Sequence, residues 1–323
     1  MRKMSLVLAA ALSVVVGQSF AQTLTYPTKN IEVVIPKNPG GGTDTSARTL
    51  IEYSKNAMPK GLMFVPDNKP AGNGVAGLIE VARAKPDGYK LVMTTVELAM
   101  FPHEGKSPVT YADFTPLVAA IADPCAVVVK ADSPYKTLKE FIDATKANPG
   151  KIKVGNSGMG AIYHLAALNI ERKLNVKFNH IPYNEGVGPA IASLVGGHID
   201  AVITTPGAAK SQVDAGALRF LGVMDTKRFD LFPKVPTFQE ALGQDLGLNM
   251  RAWAVLAAPA KLPANITKEL VATFTTTVKS PDFQAAMMKQ GIMPVVIAGD
   301  AAAAMMKEDH DTYKDLIEES KKK

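Results

Sequence analysis

A chain of 323 residues, 47% of them hydrophobic, is long enough for two domains of ordinary size, each with its own core. Its formal charge of +6 is well mixed along the sequence, with no basic stripe and no interleaved aromatics, which argues against a nucleic-acid surface while remaining compatible with an anionic ligand. Cys125 is the single cysteine, so no intrachain disulfide can form and stability must come from packed cores. In chain order, the first feature is Arg2 and Lys3, followed by the apolar run LVLAAALSVVV at 6–16 and the small-residue pattern Ser19-Phe20-Ala21 before Gln22. Together they predict a cleavable secretory signal peptide over 1–21, too short to span a membrane permanently. Gln22, not a cysteine, follows the cut, so no lipid anchor is expected, and the exported chain carries +4 once two basic residues are removed.

Two later segments read alike. IEVVIPKNPGGGTDTSARTLIEY (31–53) and KIKVGNSGMGAIYHLAALNIER (151–172) are each a β-rich run, a glycine loop and a helix. Apolar residues at helical spacing, Ala47, Leu50 and Ile51 in the first and Ala161, Leu165 and Leu168 in the second, give each helix a core face. The parallel continues: FVPDN (64–68) with HIPYN (180–184), the helix-compatible stretches 74–85 and 188–197, then the strands DGYKLVMTT (87–95) and HIDAVITT (198–205). Strand and helix alternate in the same order twice, which predicts two related α/β lobes, each a mostly parallel sheet flanked by helices. The apolar run 114–130, interrupted at Asp123-Pro124, is expected to carry the chain into lobe two, and 251–260 to bring it back. Helices at 265–279, 281–290 and 300–319 then pack on lobe one. Lobe one is read as 22–122 plus 252–323 and lobe two as 123–251, with a hinge and a cleft between them. Asp309 and Asp311 on the last helix read as a solvated face.

Each glycine loop opens a helix whose first N–H groups lack partners and carry partial positive charge. Glycines there let an anion approach the backbone. Nucleotide and enzyme patterns do not fit. GGGTDTS lacks the P-loop lysine, and GNSGMGA lacks the dinucleotide spacing. Ser157 has Met159 where a nucleophile elbow needs glycine. His103, His164, His180, His198 and His310 form no metal-ligand spacing, so neither metal nor cofactor is expected. A hydrolase using Ser157 or Thr43 is the enzymatic alternative, without an evident base.

The motifs YPTKNIEVVIPKNPGGGTDTSAR, KPAGNGVAG, ARAKPDGY, DFTPLVAAIADP, GNSGMGAIYHLAA, IPYNEGVGPAIASLVGGHIDA and VPTFQEAL occur in an order that closely resembles the Bug family. These are the solute receptors of bacterial tripartite tricarboxylate transporters, and the resemblance covers essentially the whole chain after the signal peptide. It implies a periplasmic, two-lobed Venus-flytrap binding protein, a monomer that holds a small carboxylate through backbone N–H groups and ordered waters and hands it to a membrane permease. A receptor presenting its ligand to a sensor kinase is the second reading.

Carried onto this sequence, the resemblance makes Asn38, Gly40, Gly41, Gly42, Thr43 and Asp44 the first ligand loop, and Ser157, Gly158, Met159, Gly160, Ala161 and His164 the second. Thr94, Thr95, Tyr183 and Thr205 stand at the same edges. Ala161 replaces a serine common in relatives, removing one hydroxyl. Thr204 and Thr205 stand where many relatives have an aspartate, which disfavours an amino-group ligand. Lys37, apolar in many relatives, favours a ligand with several anionic groups, and Arg251 is a further candidate contact. Asp44 reads as the helix cap before a ligand contact, His164 as either a ligand contact or a pin for the loop, Trp253 as core before ligand platform, and Asp200 as structural.

Overall fold

The structure, a computed structural model, describes residues 26–40, 42–184 and 186–321; the signal-peptide expectation lies outside the described residues. The chain begins with β1 (Ile31–Ile35), α1 (Gly42–Ser54), β2 (Phe64–Asn68), α2 (Val75–Ala82), β3 (Lys90–Thr95) and α3 (Glu97–Glu104). It continues with β4 (Phe114–Pro124), β5 (Ala126–Lys130), α4 (Leu138–Ala147), β6 (Lys153–Asn156), α5 (Ile162–Leu174), β7 (Asn179–Pro182) and α6 (Val187–Val195). Then come β8 (Ala201–Thr204), α7 (Pro206–Asp214), β9 (Leu218–Val223), α8 (Phe238–Leu242), β10 (Arg251–Pro259), α9 (Ala264–Lys279), α10 (Pro281–Lys289) and α11 (Asp300–Ser320).

The strands form two sheets, in the orders β2-β1-β3-β10-β4 and β7-β6-β8-β5-β9. In the first, β1 lies parallel to β2 and β3, and β10 runs antiparallel to β3 and β4. In the second, β6 lies parallel to β7 and β8, and β5 runs antiparallel to β8 and β9. The two orders are the same pattern, with β1, β2, β3, β10 and β4 matching β6, β7, β8, β5 and β9. The antiparallel strand in each sheet is the one that arrives from the other lobe. The chain leaves the first sheet at Cys125 and returns at Arg251, and backbone bonds tie the crossings together: Cys125 N–H to Met250 O (2.7 Å), Met224 N–H to Cys125 O (2.7 Å) and Met250 N–H to Met224 O (3.1 Å).

Unbroken apolar strands suit sheets covered on both faces. Ile31, Val33, Val34 and Ile35 in β1, and Val127, Val128 and Val129 in β5, are buried. Capping boxes start α4 at Thr137 with Glu140 and α8 at Thr237 with Glu240. The long α11 packs on α3 and β4 and also on α5, so it touches both lobes. One apolar cluster, containing Val92, Trp253, Met250, Leu165 and Tyr313, runs from one sheet through the crossing strands to the other.

Candidate ligand-binding cleft

A cleft of about 560 Å³ lies between the two sheets. It opens beyond the carboxyl ends of the parallel strands, where an open α/β sheet leaves room for ligands. The chain turns there from strand to helix five times, and residues at or beside each helix start form the wall: Gly42 of α1, Glu97 of α3, Ile162 of α5, Val187 of α6 and Gly207 of α7. Five helix N-termini therefore turn their partial positive charge toward one volume, and at α3 the Glu97 carboxylate accepts its own backbone N–H.

On the lobe-one side, Asp44 organises the first loop. Its carboxylate accepts the Gly40 N–H (2.9 Å), the Arg48 Nε–H (2.9 Å) and the Asn68 amide (2.8 Å), while the same Asn68 amide donates to Lys37 O (3.0 Å). Burial pushes the Asp44 carboxyl up, but these donors outweigh it and hold the group below the usual carboxylate range. Asp44 is thus a buried clasp and not part of the cleft wall; Lys37, Gly40, Gly42, Thr43 and Thr95 are. Asn38 is exposed outside the wall, and Gly41 lies outside the described residues. Thr94 points the other way along the strand alternation and donates its hydroxyl to Val255 O (2.8 Å). The Lys37 ammonium donates to Glu97 Oε1 at 2.9 Å. Burial opposes ionisation of Glu97, but Lys37 and the Thr95 hydroxyl overcome it and keep the carboxyl lowered.

On the lobe-two side, Ser157, Ala161 and Thr205 line the cleft, whereas Gly158, Met159 and Gly160 do not. Met159 is 59% exposed, so its side chain meets solvent. Gly160 donates its N–H to His164 Nδ1 (3.1 Å), and His164 is buried beneath the loop. Burial, helped by neighbouring His180, pushes the His164 imidazole down to about 4, so it is neutral and accepts. This bond ties His164 to the loop, and the residue does not line the cleft. The Tyr183 hydroxyl donates to Ser193 Oγ (2.6 Å) on α6, away from the wall. Arg251 is also outside the wall: its guanidinium pairs with Glu308 (2.8 Å) and Asp309 (3.3 Å) on α11. Asp309 corrects the solvated-face expectation, because it is buried and accepts the Trp253 Nε1–H at 2.8 Å, while Asp311 faces outward and pairs with Lys307. Trp253 is nearly fully buried and yet forms part of the cleft wall.

Several lining residues escape a reading of the loops. Glu97 follows the Thr94-Thr95 strand end. Gln290, Gly291 and Ile292 come from the segment after α10, and Tyr163 from the first turn of α5. Asp123 lies in β4 just before the crossing. The one sequence signal for it is a carboxylate inside an otherwise apolar run. It is 3% exposed, and Oδ1 has no hydrogen-bond partner among the described residues. Burial pushes the carboxyl up to about 7, against one stabilising N–H from Met293.

Among the described residues, side chains of the wall contribute one cation, Lys37, already paired, and two carboxyl groups, Glu97 and Asp123. Attraction for an anion must come from the helix starts. None of the five histidines lines the cleft, so Ser157 and Thr43 have no imidazole base there. Among the described residues, no group of three or more His, Cys, Asp or Glu is arranged to hold a metal ion.

A family model described as the tripartite tricarboxylate transporter family receptor matches residues 52–321. A protein encoded in the tcbD–tcbE intergenic region of Pseudomonas sp. strain P51 is 30% identical over 312 residues, covering 96% of this chain and 92% of the relative. A solute-binding protein of the TctC type from Polaromonas, solved without ligand, is 36% identical with a TM-score of 0.82, covering 91% of this chain and all (100%) of the other. The MatC protein of Rhodopseudomonas palustris, solved with bound malate, is 26% identical with a TM-score of 0.72, over 90% of this chain and 100% of the other.

Proposed function

We propose that this chain, which belongs to the tripartite tricarboxylate transporter receptor family, captures a small organic carboxylate between its lobes and delivers it to a membrane permease. The carrying observation is the convergence of five helix N-termini on one cleft whose only lysine, among the described residues, is already paired. Such a wall offers oriented N–H groups to an anion without needing a free side-chain cation. Lys37, Gly40, Gly42, Thr43 and Thr95 would meet the ligand from lobe one, and Ser157, Ala161 and Thr205 from lobe two. The malate bound by the MatC relative supports a carboxylate of that size. A periplasmic location follows from the predicted export signal and the family. The boundaries 22–122 plus 252–323 and 123–251 serve as the two moving bodies, with the crossings at Cys125 and Arg251 as hinge.

The test is a thermal-shift screen of mono-, di- and tricarboxylates against the mature protein, followed by calorimetry on the hits. At a hundredfold over its dissociation constant, a bound carboxylate should add about 2.7 kcal/mol of stability. A screen in which amines or neutral sugars stabilise the protein and no carboxylate does would overturn the reading.

A further inference from the structure

Asp123 is the feature of the cleft that carboxylate capture does not explain. A receptor for anions has placed a carboxyl group in its wall at the hinge, 3% exposed and with Oδ1 unpartnered among the described residues. Among the described residues, its surroundings supply no neutralising cation. On β10, the residue paired with it is Ala252, and neighbouring Arg251 is turned to Glu308 and Asp309. From α7 comes Gly207, from α5 the Tyr163 phenol, and from the segment after α10 the Met293 N–H. Lys37, the one ammonium in the same wall, is held by Glu97. An ionised Asp123 would set a bare negative charge beside a bound anion in a desolvated site.

We propose that Asp123 binds the ligand as a neutral carboxylic acid, donating its proton to a ligand oxygen, so that capture of the anion takes up a proton from solution. This rests on the carboxylate reading above. No covalent bond of the ligand changes: solvent protonates the Asp123 carboxylate, and the new O–H donates to the ligand. The burial that pushes the group up to about 7 makes this exchange available at neutral pH. Glu97 does not compete for the proton, because Lys37 keeps it ionised.

Calorimetry with malate at pH 7.5, in two buffers of different ionisation enthalpy, counts the protons exchanged. Malate is doubly ionised there, so uptake reports the protein. We expect between about half a proton and one proton taken up per malate, and an affinity that weakens towards tenfold per pH unit above pH 8. Asp123→Asn, which keeps the shape and an N–H donor but cannot titrate, should lose the proton uptake on binding malate and the weakening of affinity above pH 8. Asp309 titrates outside the wall and is present in both proteins, so it cancels in that comparison. Proton release, no exchange by the wild type, or undiminished uptake by Asp123→Asn would each overturn the proposal. The wild-type count needs no variant to fold. If malate binds without uptake, only the Asp123 inference fails; if neither malate nor any carboxylate of the screen binds between pH 6 and 8.5, the carboxylate reading fails and takes this one with it.

Discussion

Lys37 and Glu97 bring opposite charges into the same cleft, 2.9 Å apart. Sequence order shows Lys37 as a cation beside a glycine loop but gives no sign that Glu97, sixty positions on, will neutralise it. In the proposed function the lysine acts mainly by cancelling an acid that would repel the ligand. Lys37→Met should weaken a dicarboxylate at least tenfold, about 1.4 kcal/mol by calorimetry, and adding Glu97→Gln should restore most of the loss. A single variant that binds normally would remove both residues from the ligand's surroundings. Asp123 makes a separate prediction for the ligand-free protein. An acid raised by folding holds more protons native than unfolded between its two values. Its contribution is fully present below the unfolded value of about 4 and is lost as pH rises through about 7. At about 1.4 kcal/mol per pH unit, urea unfolding should show a stability loss on the order of 2–3 kcal/mol between pH 5 and 8 from this group. Asp309, raised to about 6 by burial, adds a smaller loss of the same sign. Asp123→Asn should flatten the larger part of the slope; an unchanged slope would place its titration elsewhere.

The recurring element is a strand that ends in a loop and turns into a helix. That much is legible in the sequence, because a run such as Ile31–Ile35 followed by glycines and a helical stripe has few other ways to fold. What the pattern does not fix is which side of each loop faces the ligand. Neighbours in a strand point oppositely, so Thr95 enters the cleft while Thr94 bonds Val255. In the second loop, Ser157 and Ala161 face inward while Met159 faces out, and His164, in the first turn of α5, turns back under the loop to hold Gly160. Asp44 plays the matching part in the first loop through residues distant in sequence, Asn68 above all. Such side-chain contacts between loops have no periodic signal. Asp44→Ala should therefore cost stability as well as binding. Losing charge-assisted bonds from a buried clasp is expected to destabilise by about 2–3 kcal/mol and to weaken carboxylate binding at least tenfold. Denaturant unfolding and calorimetry on one preparation check both; full affinity in a destabilised variant would mean that the loop needs no clasp to bind.

Two sheets of one pattern are joined by exchanged strands that cross at Cys125 and Arg251, the hinge of the proposed closure. The lobes also meet across the cleft. At Gly207, near the start of α7, an added Cβ would sit 2.1 Å from the Gly291 carbonyl oxygen, which belongs to the segment following α10 on the other lobe. A second approach brings Glu104, at the end of α3, against Gly160, where a Cβ would lie 2.5 Å from Oε1. Glu104 can swing aside, but the Gly291 carbonyl is backbone and cannot. Gly207 has no unusual backbone angle to preserve, and alanine is the better helix former. Gly207→Ala should therefore leave the separate lobes as stable as before, or slightly more so, while forbidding the approach seen here. A receptor that gains affinity by contacting its ligand from both lobes loses that gain when it cannot close. We expect carboxylate affinity to fall by tenfold or more with the melting temperature of the ligand-free protein unchanged. Small-angle scattering supplies the independent readout. Saturating carboxylate should reduce the radius of gyration of the wild type, and Gly207→Ala should keep its ligand-free radius even with ligand bound. If the variant binds normally and contracts like the wild type, the contact at Gly291 is incidental and closure follows another path.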